Sequence, residues 1–88
     1  MKAKPGKEEA LREAALKLIE PTRKEDGCVQ YDLHVSTKNP GQFVFYENWT
    51  SAEHLAKHAA SDHLKAFGEV RADLLDGPPR VETFTRIA

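Results

Sequence analysis

Two runs that alternate between apolar and polar side chains, close together in the middle of the chain, constrain its fold more than anything else in the sequence. In CVQYDLHV (28–35), Val29, Tyr31, Leu33 and Val35 fall on one face and Cys28, Gln30, Asp32 and His34 on the other, the period of two expected of a strand. FVFYENW (43–49) is rich in aromatic and β-branched residues and sets Phe43, Phe45, Glu47 and Trp49 on one face. Between them NPGQ offers Pro40 and Gly41 for the central positions of a type II turn, so the two runs are expected to pair as an antiparallel hairpin.

Helical patterns flank the hairpin. From Lys7 to Glu20 the residues Leu11, Ala14, Ala15, Leu18 and Ile19 recur at spacings of three and four, which predicts an amphipathic helix. Pro21 kinks or ends it, Gly27 is a natural stop, and the end is placed near Lys24. After Trp49, Thr50 and Glu53 form a capping box that starts a helix carrying Leu55, His58 and Ala59. Ser61 is a second cap, opening a helix with Leu64, Phe67, Arg71, Leu74 and Leu75 on one side, and DGPP (76–79) ends it. RVETFTRI (80–87) alternates again and reads as a closing strand. The order is helix, strand, strand, helix, helix, strand. An α+β ferredoxin-like βαββαβ sandwich with an antiparallel sheet would need a central first strand, and only MKAK precedes the first helix. That strand is therefore very short, truncated, or supplied by a neighbouring chain.

At 88 residues the chain is a single domain (1–88) with a thin core of the kind a partner subunit often completes. Its 13 Lys and Arg against 14 Asp and Glu give no electrostatic reason to expect nucleic acid or an anionic membrane as partner. No apolar stretch approaches the length of a membrane span and the N-terminus lacks the apolar core of a signal peptide, so a cytoplasmic location is expected. The single cysteine, Cys28, excludes a disulfide framework and a thiolate zinc site within one chain.

The stretches KPGKEEALREAALKLIEPTRKEDGCVQYDLHV, PGQFVFYENW and LAKHAASDHLKAF resemble the antibiotic biosynthesis monooxygenase family of the dimeric α+β barrel superfamily. The motifs are K-P-G opening a helix, G-C-x-x-Y-x-L, F-x-x-x-E-x-W and L-x-x-H-x-x-S-x-H-[FL], in that order and covering essentially the whole chain. The resemblance implies a ferredoxin-like protomer that forms a homodimer through its sheet. It does not fix an activity, because the family holds cofactor-free quinol and anthrone oxygenases as well as an isomerase.

Three of the four histidines lie in HLAKHAASDH (54–63). His54 and His58, four apart, would lie about 40° apart on a helix and could share a metal. His63 could not join them on a continuous helix, and Leu55 stands where H-E-x-x-H requires glutamate, so no metal ligands are expected. His58 flanks the apolar side of the helix, and Glu47 stands among aromatics where a carboxylate needs a partner. The two read either as a satisfied buried polar pair or as the border of an aromatic pocket in which His58 moves a proton. The resemblance implies the second, since its motifs map onto His58, Glu47, Trp49, Tyr31 and His63. It also argues against haem, because Gly68 stands where haem-degrading relatives carry an axial histidine and the first strand has no asparagine.

The resulting expectation is a cofactor-independent monooxygenase acting with O2 on a quinol, phenol or anthrone-like aromatic. His58 would be the base, Glu47 its orienting partner and Tyr31 a hydrogen-bond donor to the substrate, with Trp49, Phe43, Phe45 and His63 as binding residues. A cofactor-free isomerase or tautomerase using the same histidine, and a non-enzymatic dimeric ligand-binding module, remain the alternatives.

Overall fold

The computed structural model describes residues 1–88, arranged as α1 (Glu8–Leu16), α2 (Ile19–Arg23), β1 (Cys28–Val35), β2 (Phe43–Trp49), α3 (Ala52–Ala59) and α4 (Asp62–Leu74). It is an α+β fold with an antiparallel β1/β2 hairpin, as the alternation predicts. Register pairs Tyr31 with Glu47, Leu33 with Phe45 and Val35 with Phe43 on one face, and Asp32 with Tyr46 and His34 with Val44 on the other. Tyr31 and Phe43 on the inner face meet Leu11, Ala15 and Leu18 from the N-terminal helices and Phe67 and Leu75 from α4 and its end, forming the core with Ala3.

Four local details depart from the pattern-based reading. The expected single helix to Lys24 is two: proline at 21 has no N–H to donate to the carbonyl of Lys17, and the chain breaks at Lys17–Leu18 so that Pro21 falls in the first turn of α2. A bulge between Cys28 and Gln30 inverts the start of β1. Cys28 thereby pairs with Trp49 and packs on the core, and Val29 points to solvent instead. The turn at Pro40–Gly41 forms, closed by Gln42 N–H on Asn39 O at 3.1 Å, but Gly41 keeps a negative-side φ and the turn is not type II. Finally, the N-cap of α3 is Ser51, whose side chain accepts from the His54 amide, and not Thr50.

The two ends of the chain explain how an α+β sandwich is built on a two-stranded sheet. Residues 1–4 lie between the start of β2 and the end of α4: Ala3 N–H donates to Gly41 O at 2.7 Å and Phe43 N–H to Met1 O at 2.8 Å on one side, while Lys4 N–H reaches Leu74 O and Asp76 N–H reaches Lys2 O on the other. Bridges join Lys2 to Gln42 and Ala3 to Leu75, both antiparallel. The lateral order is 75–76, 1–4, β2, β1, which places the very short first segment centrally, as a βαββαβ topology requires. The expected strand over 80–87 does not form: these residues lack sheet partners, and Val81, Phe84 and Ile87 are almost fully exposed. No helix is long and apolar enough to cross a membrane.

Candidate functional site

Three segments converge at the open end of the hairpin, one of them 33 and 38 residues from its two partners. The turn after α2 carries Glu25, the last turn of α3 carries His58, and the first turn of α4 carries His63. The break between α3 and α4 makes the meeting possible. Ser61 caps α4 by accepting from Leu64 N–H and donates its own hydroxyl to His58 O at 2.7 Å, so α4 restarts in a new direction and returns His63 toward His58. The two imidazoles are 6.0 Å apart between centroids.

One oxygen of Glu25 serves both rings: Oε2 lies 2.6 Å from His58 Nδ1 and 2.9 Å from His63 Nε2, which also lies 3.2 Å from Ser61 Oγ. His58 is 4 % exposed, and its other nitrogen, Nε2, stands 3.8 Å from Glu47 Oε1. Glu47 Oε1 in turn accepts from Trp49 Nε1 at 3.0 Å. The His58 ring is enclosed by Trp49 at 4.7 Å and by Tyr31 edge-on at 5.3 Å, and Tyr31 stacks on Phe45 at 4.9 Å. We assign the His58 proton to Nδ1, where the short bond to a carboxylate satisfies both partners, leaving Nε2 unprotonated on the side of Glu47.

The structure therefore brings together His58, Glu47, Trp49, Tyr31, Phe45 and His63, and adds Glu25. The expected Glu47–His58 contact is a 3.8 Å approach, too long for a hydrogen bond, because Glu25 holds the histidine and Trp49 holds Glu47. Phe43 does not join them: it is buried in the core at the turn end, pairing with Val35. It borders two recesses there, one of about 190 Å³ between His34, Val35, Ser36, Gln42 and Val44, the other of about 80 Å³ reaching Arg12 and Leu16. These recesses are at the opposite end of the hairpin from His58, and the histidine chemistry rather than their size identifies the candidate site.

Burial, then the charge of Glu47, pushes the Tyr31 phenol well above its ordinary range, so it is a neutral hydroxyl at physiological pH. The Thr22 hydroxyl, fully buried and without a hydrogen-bond partner of normal geometry, lies near enough to Tyr31 to oppose that shift. Burial and the Glu25 carboxylate also push the Cys28 thiol up, the reverse of what an activated nucleophile needs. His54 belongs elsewhere: Nδ1 lies 2.7 Å from Ser51 Oγ, Nε2 lies 3.3 Å from Asp26 Oδ2, and its ring covers Gly27.

Glu25 is the residue that sequence reasoning missed. In KEDG it reads as a solvated helix end, and its partners stand 33 and 38 residues away with no periodicity to link them. The exclusion of His63 from any shared site assumed a continuous helix, which the Ser61 cap breaks. As a result, although no metal ligands were expected, Glu25, His58 and His63 offer three ligand atoms within 4.8 Å of one another.

A family model described as "Antibiotic biosynthesis monooxygenase" matches residues 1–70. The solved structure of Rv0793 from Mycobacterium tuberculosis superposes with a TM-score of 0.92 at 32% identity, covering 99% of this chain and 88% of the other. The Escherichia coli protein named "Probable quinol monooxygenase YgiN" is 28% identical over 87 residues, 86% of this chain and 84% of its own length. An uncharacterized Synechocystis protein, sll1783, is 30% identical over 84 residues, 96% of this chain, and the chain spans only 57% of that relative's length.

Proposed function

The chain belongs to the antibiotic biosynthesis monooxygenase family, and from that premise we propose that it is a cofactor-independent monooxygenase of electron-rich aromatics with His58 as its base. The observation that carries this reading is the setting of His58: buried, anchored through Nδ1 to Glu25 at 2.6 Å, its ring packed against Trp49 and Tyr31, with Nε2 3.8 Å from Glu47. An imidazole fixed on a carboxylate by one nitrogen presents the other as a proton acceptor in a set direction. Glu25, not Glu47, is the orienting carboxylate in this reading.

The chemistry asks little else of the protein. On a phenol, quinol or anthrone, His58 Nε2 takes a proton from the substrate, and the resulting anion is rich enough in electrons to reduce O2 itself. Combination of the pair at ring carbon forms a peroxide; the imidazolium returns its proton to that peroxide, and loss of water leaves a carbonyl. Trp49 and Phe45 supply flat apolar surface against an aromatic ring, and the neutral Tyr31 hydroxyl can donate to its oxygen. His63, partly exposed and bonded to the same Glu25 oxygen, links the buried histidine to solvent for proton exchange.

A homodimer completes the proposal. Val44 and Tyr46 on the outer face of the hairpin, and Val81, Phe84 and Ile87 in the tail, expose large apolar side chains that a second copy would cover. Oxygen stoichiometry tests the activity: with a quinol or an anthrone, one O2 is consumed per product above the uncatalysed rate. Turnover at an undiminished rate under strict anaerobiosis would replace the oxygenase by an isomerase or tautomerase using the same histidine.

A further inference from the structure

Glu25, His58 and His63 are two imidazoles and one carboxylate, carried by three separate segments and aimed at one point. We propose that they form a binding site for a first-row divalent transition metal of the Zn2+ type, through Glu25 Oε2, His58 Nδ1 and His63 Nε2. The donor set is the borderline nitrogen and oxygen mixture that suits such ions, and it is too poor in oxygen for Ca2+ or Mg2+. Three protein ligands leave a fourth position for water.

The distances fit this exchange. With metal–ligand bonds of about 2.0–2.2 Å, tetrahedral ligands stand about 3.3–3.5 Å from each other. Glu25 Oε2 now lies 2.6 Å and 2.9 Å from the two nitrogens, so admitting the ion needs the groups to part by less than about 1 Å. The site also has an outer shell. A metal on His58 Nδ1 obliges the ring proton to move to Nε2, where Glu47 Oε1 stands 3.8 Å away, itself held by Trp49 Nε1. A carboxylate behind the non-ligating nitrogen is the usual support of a metal-bound histidine, and it gives Glu47 a role that the Glu25 hydrogen bond alone does not explain. On the other side, the Ser61 hydroxyl donates to the His58 carbonyl at 2.7 Å and fixes the bend that carries His63, while the contacts of His63 Nε2 with Ser61 Oγ and Glu25 are those the ion would take over.

This inference does not rest on the oxygenase reading. It makes the metal and the base role of His58 alternatives, because the metal-bound ring carries its proton on Nε2. The test is titration of the metal-free full chain, without a polyhistidine tag, with Co2+ and then Zn2+. Trp49, the chain's one tryptophan, has its ring centroid 4.7 Å from His58 and supplies a local fluorescence signal. The expected result is one Co2+ per chain, with the visible band of a four-coordinate ion, quenched Trp49 emission, and displacement by one Zn2+. His63→Ala, which removes a partly exposed ligand, is expected to abolish this binding, Glu25→Gln to do the same, and Glu47→Gln to weaken it about 10–100-fold. His34→Ala, on the outer sheet face, is expected to leave it unchanged. Absence of stoichiometric binding to the wild-type chain would overturn the site, as would a folded His63→Ala chain that binds Co2+ like the wild type. Neither result would touch the oxygen-stoichiometry test.

Discussion

At the scale of single residues, the inner face of the hairpin makes two predictions that depend on different physics. Tyr31 keeps its proton in the folded chain at pH values where the unfolded chain has lost it, because burial and Glu47 both disfavour the phenolate. Stability from this group is therefore constant below the unfolded pKa of about 10 and falls above it, by up to about 1.4 kcal/mol per pH unit. Urea unfolding between pH 9 and about 11 should show that decline, and Tyr31→Phe should flatten it. Gly27 is constrained twice: its φ of +82° is unfavourable for any L side chain, and an added Cβ would lie 2.3 Å from the His54 ring. Gly27→Ala should cost about 1–3 kcal/mol. Adding His54→Ala removes the ring but keeps a Cβ 2.7 Å from the added one, so it should recover only part of the loss, and an unfolding midpoint fully restored in the double variant would contradict the backbone argument. Glu25 shows why residue-level reading from sequence falls short. His58 could be singled out by its place beside an apolar helix stripe, but a carboxylate in a polar turn has no local mark of what it meets.

At the scale of elements, period and punctuation carried most of the fold. The hairpin and the two C-terminal helices follow from alternation, a proline-containing turn and Ser61, and the inward position of His58 follows from its helix. What the pattern could not carry were one-residue events. The bulge at Val29 inverts a strand end without changing its composition, and the break before Pro21 depends on which carbonyl that proline leaves unbonded. Ser61 does two jobs, capping α4 and fixing the bend that returns His63 to Glu25. Ser61→Ala should therefore destabilise the fold by about 0.5–2 kcal/mol, read by thermal or urea unfolding. A change within error would show that the α3–α4 bend is held by other contacts.

At the scale of the whole molecule, the tail is where local alternation is least informative. RVETFTRI has the pattern of a strand, yet a strand needs a neighbour, and this chain provides none beyond Leu75. Its exposed Val81, Phe84 and Ile87, with Val44 and Tyr46 on the sheet, lead to the expectation of a dimer by sedimentation at micromolar concentration. Phe84→Asp with Ile87→Asp should yield monomers, and a wild-type chain that sediments as a monomer throughout would contradict the proposed assembly. The proposed chemistry turns on one buried histidine, His58. Its most direct test is O2 consumption with an anthrone or quinol by the wild-type chain and by His58→Ala, each verified as folded by circular dichroism. Loss of a positioned proton acceptor predicts a fall of about 10²–10⁴-fold in turnover. A folded His58→Ala chain that consumes O2 at the wild-type rate would contradict the claim.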